Sequence, residues 1–132
     1  MRYQTRNRRK YSLKAHLIFV AKYRKKILAG NIADDVKQKF FELSTSHGWE
    51  ILAMETDKDH IHLLLSYECT ERVCDIVRVL KQESTHMLWQ RHRTFLSRCY
   101  WKKQVFWSGG YFACSIGEIS QATVERYIAS QG

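Results

Sequence analysis

Asp59-His60-Ile61-His62-Leu63-Leu64-Leu65 is the stretch on which the reading of this chain turns. An extended strand points successive side chains to opposite faces. His60, His62 and Leu64 therefore share one face and Ile61, Leu63 and Leu65 the other. The apolar trio gives the strand a surface to bury, which would hold the two imidazoles side by side on the open face of a sheet. Such a pair is half of a metal site. With six histidines in 132 residues, it is also a pattern that chance produces in roughly one such chain in four. Its meaning depends on what the rest of the chain supplies.

Just upstream, Trp49 to about Thr56 reads as a strand, and Asp57-Lys58-Asp59 as a short turn, so the two strands form a hairpin. Before that, Ile32, Val36, Phe40 and Leu43 recur at spacings of three and four. This predicts an amphipathic helix from Asn31, its cap residue, to His47, with Gly48 as the stop. Tyr11 to about Ala21 alternates as a first strand, on which His16 reads as a lone, satisfied polar group rather than a ligand. A basic turn, Lys22 to Lys26, follows it, and a basic arm that includes Arg8 and Arg9 precedes it.

Downstream, Thr70 reads as the N-cap of a helix whose apolar stripe is Val73, Ile76, Val77, Leu80, Met87 and Leu88. Arg72, Arg78, Lys81 and Gln82 take the opposite side, and His86 and His92 read as surface residues. From Arg91 to Trp107 the cations Arg91, Arg93, Arg98, Lys102 and Lys103 are interleaved with Phe95, Tyr100, Trp101, Phe106 and Trp107. That mixture suits a groove in which charge holds a nucleic-acid backbone and rings stack on unpaired bases. It also suits a long loop whose rings plug the edge of the core. Gly109-Gly110, a strand over Tyr111 to Ile116, and Gly117 come next. The order strand, helix, strand, strand, helix, strand predicts an α+β fold: a ferredoxin-like antiparallel sheet (split βαβ) with helices on one face, the other face free for chemistry, and an added C-terminal helix.

Composition agrees with one soluble domain spanning residues 1–132. There are 22 Lys and Arg against 13 Asp and Glu, a net charge of +9, and 45% of residues are hydrophobic. The charge points to a polyanionic partner, nucleic acid first. No apolar stretch reaches the length of a spanning helix and no signal-peptide pattern is present, so a cytoplasmic, DNA-associated protein is expected. Cys69, Cys74, Cys99 and Cys114 form no C-x-x-C pair and should stay reduced.

In the last helix Ser120 reads as the N-cap and Ile119 as a staple to Val124. Tyr127 and Gln131 are then i and i+4, on one side. A tyrosine hydroxyl, with a pKa of about 10, attacks phosphorus poorly unless a cation polarises the site. Two imidazoles and an amide oxygen can hold a divalent ion and leave positions for a phosphate oxygen and water.

These residues resemble the small HUH-type single-tyrosine transposases of bacterial and archaeal insertion sequences, which act on single-stranded DNA. The matching pieces are His16-Leu17, Lys22-Tyr23-Arg24, Asp59 to Leu64, Asp75-Ile76-Val77, Leu80-Lys81, Trp107, Gly110-Tyr111-Phe112, Ser115, Gly117, Tyr127-Ile128 and Gln131. The resemblance implies His60, His62 and Gln131 as ligands of Mg2+ or Mn2+ and Tyr127 as the nucleophile. It also implies hairpins at element ends as the DNA bound, a 5′-phosphotyrosine intermediate, and a homodimer. The basic surface is expected from Arg8, Arg9, Lys22, Arg24, Arg78, Lys81, Arg91, Arg93, Arg98, Lys102 and Lys103, with Trp101 as a stacking ring. Relatives usually continue past the glutamine, whereas Gly132 follows it here, so fraying is expected to weaken Tyr127 and Gln131. Two other readings stay open: a repeat- or replication-associated nickase of the same chemistry, and a non-catalytic single-strand binding module.

Overall fold

The computed structural model describes residues 13–116 and 125–130. Four strands, β1 (Leu13–Val20), β2 (Glu50–Asp57), β3 (His60–Tyr67) and β4 (Phe112–Ser115), form one sheet in the order β2-β3-β1-β4. Every neighbouring pair is antiparallel. Helix α1 (Gly30–His47) connects β1 to β2, and α2 (Val73–Arg91) with the short α3 (Arg93–Cys99) connects β3 to β4. This is the ferredoxin-like, split βαβ arrangement.

One face of the sheet makes the core. Leu17, Phe19, Ile61, Leu63 and Leu65 are fully buried there with Val36 and Phe40 of α1 and Ile76, Leu80 and Leu88 of α2. Phe19 meets the rings of Phe40 and Trp107 edge-on, at centroid separations of 5.9 and 5.8 Å. Trp107 is fixed further by its Nε1–H, which donates to Ser84 Oγ at 2.9 Å inside the core. The hairpin closes over Lys58 and Asp59, with Asp57 opposite His60. Gly48 ends α1 at φ 78°, a left-handed conformation that costs glycine nothing, and its N–H reaches Ser44 O.

The helix starts depart from expectation. Gly30, not Asn31, opens α1, and its N-cap is Ala29; Val73 opens α2, and its N-cap is Arg72 rather than Thr70. Neither cap makes a side-chain hydrogen bond, so burial of the apolar stripes places these helices. In the Arg91 to Trp107 stretch the reading of rings that plug the core edge holds for part of the segment. It folds in part into α3, and Tyr100, Phe106 and Trp107 are buried, while Trp101 stands 77% exposed. The second sheet face is not open throughout: Leu64 and Ile128 are fully buried and His62 is 2% exposed. Residues 125–130 are helical and cover part of that face. Among the described residues no helix is long and apolar enough to cross a membrane.

Candidate active site

The strand register sets out the second face in rows. Asp57, His60 and Val20 make one row, Glu55, His62, Ile18 and Phe112 the next, and Ala53, Leu64, His16 and Cys114 the third. Directly opposed residues share a face. His16 therefore lies diagonal to His62, and the two imidazoles meet: His16 Nε2 is 3.2 Å from His62 Nδ1, with the rings near-parallel at 21°. His16 is thus no lone polar group. It is 8% exposed and spends its Nε2 on another histidine.

Both strand imidazoles are held through Nδ1. Asp59 Oδ1 lies 2.7 Å from His60 Nδ1 and accepts from it, while Arg24 Nε donates to Asp59 Oδ2 at 3.3 Å. The hydrogen bond from His60, ahead of the Arg24 contact, keeps the Asp59 carboxyl below its ordinary range. In a neutral ring with Nδ1 donating, His60 Nε2 carries the lone pair. His62 Nε2 is buried and has no hydrogen-bond partner among the described residues. If His62 carried its proton there, a buried N–H would go unpaired, which costs about 1–3 kcal/mol. The network therefore assigns the proton to Nδ1, donating to His16, and leaves the His62 Nε2 lone pair free. Burial, with the His60 and His16 rings as lesser causes, pushes His62 down to about 4, so it is neutral near pH 7.

Imidazoles whose second nitrogens are fixed by hydrogen bonds are how proteins present histidine to a metal. The orphaned His62 Nε2 fits that use. Among the described residues, no group of three His, Cys, Asp or Glu side chains converges to hold an ion. Gln131, the expected third ligand, lies outside the described residues, as do Arg8, Arg9, Ser120 and its expected staple partners. Tyr127 is described: its ring centroid is 5.4 Å from that of His62, at 73°, and the side chain is half exposed. A hydroxyl-bearing ring with solvent access thus stands beside the imidazole pair.

The expected DNA contacts divide by what they already touch. Lys81 Nζ donates to Ser108 O at 2.7 Å and ties α2 to the loop before β4. Arg78 pairs with Asp75, and Arg91 with Asp35. His92 is not simply a surface residue, since its Nε2 lies 2.7 Å from Asp35 Oδ2. Arg93 lies over the Trp89 ring, and Lys102 over Trp101 at 5.2 Å. Arg24, Arg98, Lys102 and Lys103 are exposed and Lys22 is half-buried. Sequence reasoning missed the roles of His16 and Arg24 in bracing the imidazoles. The Asp59-His60 adjacency hinted at one brace, but both depend on strand register, which no local pattern encodes.

The profile of a family described as "Transposase IS200 like" matches residues 9–131. The chain is 32% identical over 121 residues to the ISDra2 transposase TnpA of Deinococcus radiodurans, covering 92% of this chain and 85% of that one. It is 27% identical over 122 residues to the transposase for insertion sequence element IS200 of Salmonella typhimurium, 92% of this chain and 78% of that one. A crystal structure of a D. radiodurans R1 protein superposes with a TM-score of 0.74 at 30% identity, over 92% of both chains. The structure of a REP-associated tyrosine transposase bound to a REP hairpin superposes with a TM-score of 0.65 at 14% identity, over 88% of this chain and 64% of that one, which supports the fold alone.

Proposed function

Because the chain belongs to the IS200-like transposase family, we propose that it cuts and rejoins single-stranded DNA at hairpin-bearing element ends, with Tyr127 as nucleophile. His60 and His62, through Nε2, and the Gln131 amide oxygen would hold Mg2+ or Mn2+. The observation that carries the reading is the half-exposed Tyr127 ring 5.4 Å from His62, whose buried Nε2 has no partner among the described residues.

In this reading the Tyr127 oxygen attacks phosphorus, the bond from phosphorus to the 3′ oxygen breaks, and the 5′ side stays on the enzyme as a phosphotyrosine. The Tyr127 proton leaves to solvent or a base, and the departing oxygen takes up a proton to become a free 3′-OH. Reversal rejoins the strand, and because phosphodiester is exchanged for phosphodiester no nucleotide cofactor is consumed. Bound at the imidazole pair, a divalent ion supplies Lewis-acid charge to the phosphate. The chain's own residues do the positioning: Asp59 and His16 fix the orientation of His60 and His62, and the buried trio behind them keeps the strand from shifting. Hairpin recognition is what the family resemblance implies. The resemblance extends the reading to a homodimer, which sedimentation would test.

The test is incubation with hairpin oligonucleotides from the flanks of its own gene, in Mg2+ or EDTA, scored for a denaturation-resistant protein–DNA adduct. Wild type should form it only with metal, and Tyr127→Phe and His62→Ala should not. Tight binding with no adduct would reject the chemistry and leave a binding module.

A further inference from the structure

The two most exposed aromatic side chains among the described residues, Trp101 at 77% and Tyr23 at 75%, line the same cavity. Its volume is about 430 Å³ and its walls include Lys22, Lys102 and Lys103 but no carboxylate. The floor is Tyr100, only 4% exposed. Its hydroxyl donates to Lys22 O at 2.9 Å, and the Lys22 N–H donates to Phe106 O at 2.8 Å. The turn over Lys22–Arg24 and the segment after α3 are therefore joined by fixed hydrogen bonds, and the cavity is preformed.

The turn itself is strained. Tyr23 has φ 62° and Arg24 φ 53°, left-handed conformations that cost a non-glycine residue about 1–2 kcal/mol each. The strain presents the Tyr23 ring to solvent, where it buries almost nothing, so core packing does not account for it. The same turn carries Arg24 to Asp59, the carboxylate that orients His60. The cavity and His60 are thus braced by one three-residue turn.

Exposed rings flanked by cations, with Lys22 and Lys102 lying over Tyr23 and Trp101 at 5.5 and 5.2 Å, match a ligand that has both a flat π-face and negative charge. We propose that this cavity seats one unpaired nucleotide of the single-stranded DNA substrate, its base stacked on Trp101 and Tyr23 and its phosphates on Lys22, Lys102 and Lys103. The proposal rests on the reading of the protein as a single-strand DNA transposase. A duplex keeps its bases stacked inside and would offer the site only phosphate.

Intrinsic fluorescence of the full chain tests this directly, because Trp49, Trp89 and Trp107 are buried and Trp101 is not. Short single-stranded oligonucleotides, a blunt duplex and inorganic phosphate are titrated in EDTA, and binding of each DNA is followed separately by anisotropy of a labelled oligonucleotide. The expected result is quenching of Trp101, and its protection from iodide, by the single strand but not by the duplex or phosphate. Trp101→Ala should weaken single-strand binding about 5- to 150-fold, the range for loss of one base–aromatic stack, and Trp101→Phe should restore most of it. Lys102→Ala and Lys103→Ala should each flatten the salt dependence by about 0.7 in log–log slope. A single strand that binds by anisotropy while Trp101 stays open to iodide, and is bound equally by Trp101→Ala, would overturn the nucleotide seat and leave the transposase reading standing. Absence of any single-strand binding would overturn both.

Discussion

Replacing His16 by phenylalanine separates a bracing histidine from a merely buried one. The ring volume is nearly kept, and the new ring can still meet Phe112, whose centroid lies 6.0 Å from that of His16. What disappears is the 3.2 Å contact with His62 Nδ1. His62 is 2% exposed and its Nε2 already has no partner among the described residues, so either tautomer would then bury an unpaired N–H, at about 1–3 kcal/mol. The phenylalanine no longer desolvates a polar group of its own, which returns part of that, and we expect a net loss of about 1–2 kcal/mol. With an unfolding entropy of about 2.1 cal/mol/K per residue, a chain of 132 residues loses about 3–4 °C of Tm per kcal/mol, so the fall should be about 4–7 °C. The assay is thermal unfolding in EDTA for His16→Phe, His62→Phe and the double variant. The double-mutant cycle should give a coupling on the order of 1 kcal/mol, and nitrogen-15 shifts should show His62 losing its preference for the Nδ1–H tautomer. An unchanged Tm with zero coupling would refute the assignment.

Asp59→Ala removes the acceptor that orients His60 and should weaken Mn2+ binding roughly 10–100-fold. Calorimetry would read this, and equal affinity would remove Asp59 from the site. Arg24→Ala should change fold stability by no more than about 1 kcal/mol, because the Arg24 side chain is 76% exposed in its pair with Asp59; denaturant unfolding checks it. Ser84→Ala should cost about 1–3 kcal/mol by stranding the buried Trp107 N–H, again read by denaturant, and a loss below 0.5 kcal/mol would mean that water replaces the hydroxyl. In EDTA the protein should lose stability as pH falls from about 6.5 toward 4. Unfolded His62 takes up a proton near 6.5 and the folded residue only near 4, so the unfolded state binds more protons across that window. Stability that is flat over this range in wild type would contradict a neutral, buried His62.

Much of the fold is written in local pattern. The alternation of Ile61, Leu63 and Leu65 against His60 and His62 located β3, the spacing of Ile32, Val36, Phe40 and Leu43 located α1, and Gly48 ended it where a left-handed residue was needed. Local signals misplaced the helix starts because a Ser, Thr or Asn near a boundary is only a candidate cap, and here the buried stripe decides the first turn. Helix α3 escaped notice because, of its seven residues, only Leu96 is buried, so no periodic stripe announces it. The braces of the candidate site are less legible still. His16 is 46 residues from His62, and His92 is 57 from Asp35; no periodicity links them, and only the order of strands and helices in space does.

That strand order also sets a schedule for folding. The first strand lies inside the sheet, between β3 and β4, so neither of its edges can be satisfied until later chain has been made. The β2–β3 hairpin closes over two residues, whereas β1 must await β3 across α1 and the hairpin, and β4 across nearly the whole domain. Loop-closure entropy favours the local pairing first. We therefore expect His60 and His62 to be set side by side early, and His16 to join them only when β1 docks. Pulse-labelled hydrogen exchange should show amide protection in β2 and β3 before β1; protection appearing first in β1 would reverse that order. A ribosome-bound chain would then carry the imidazole pair before the strand that shields it has found its place.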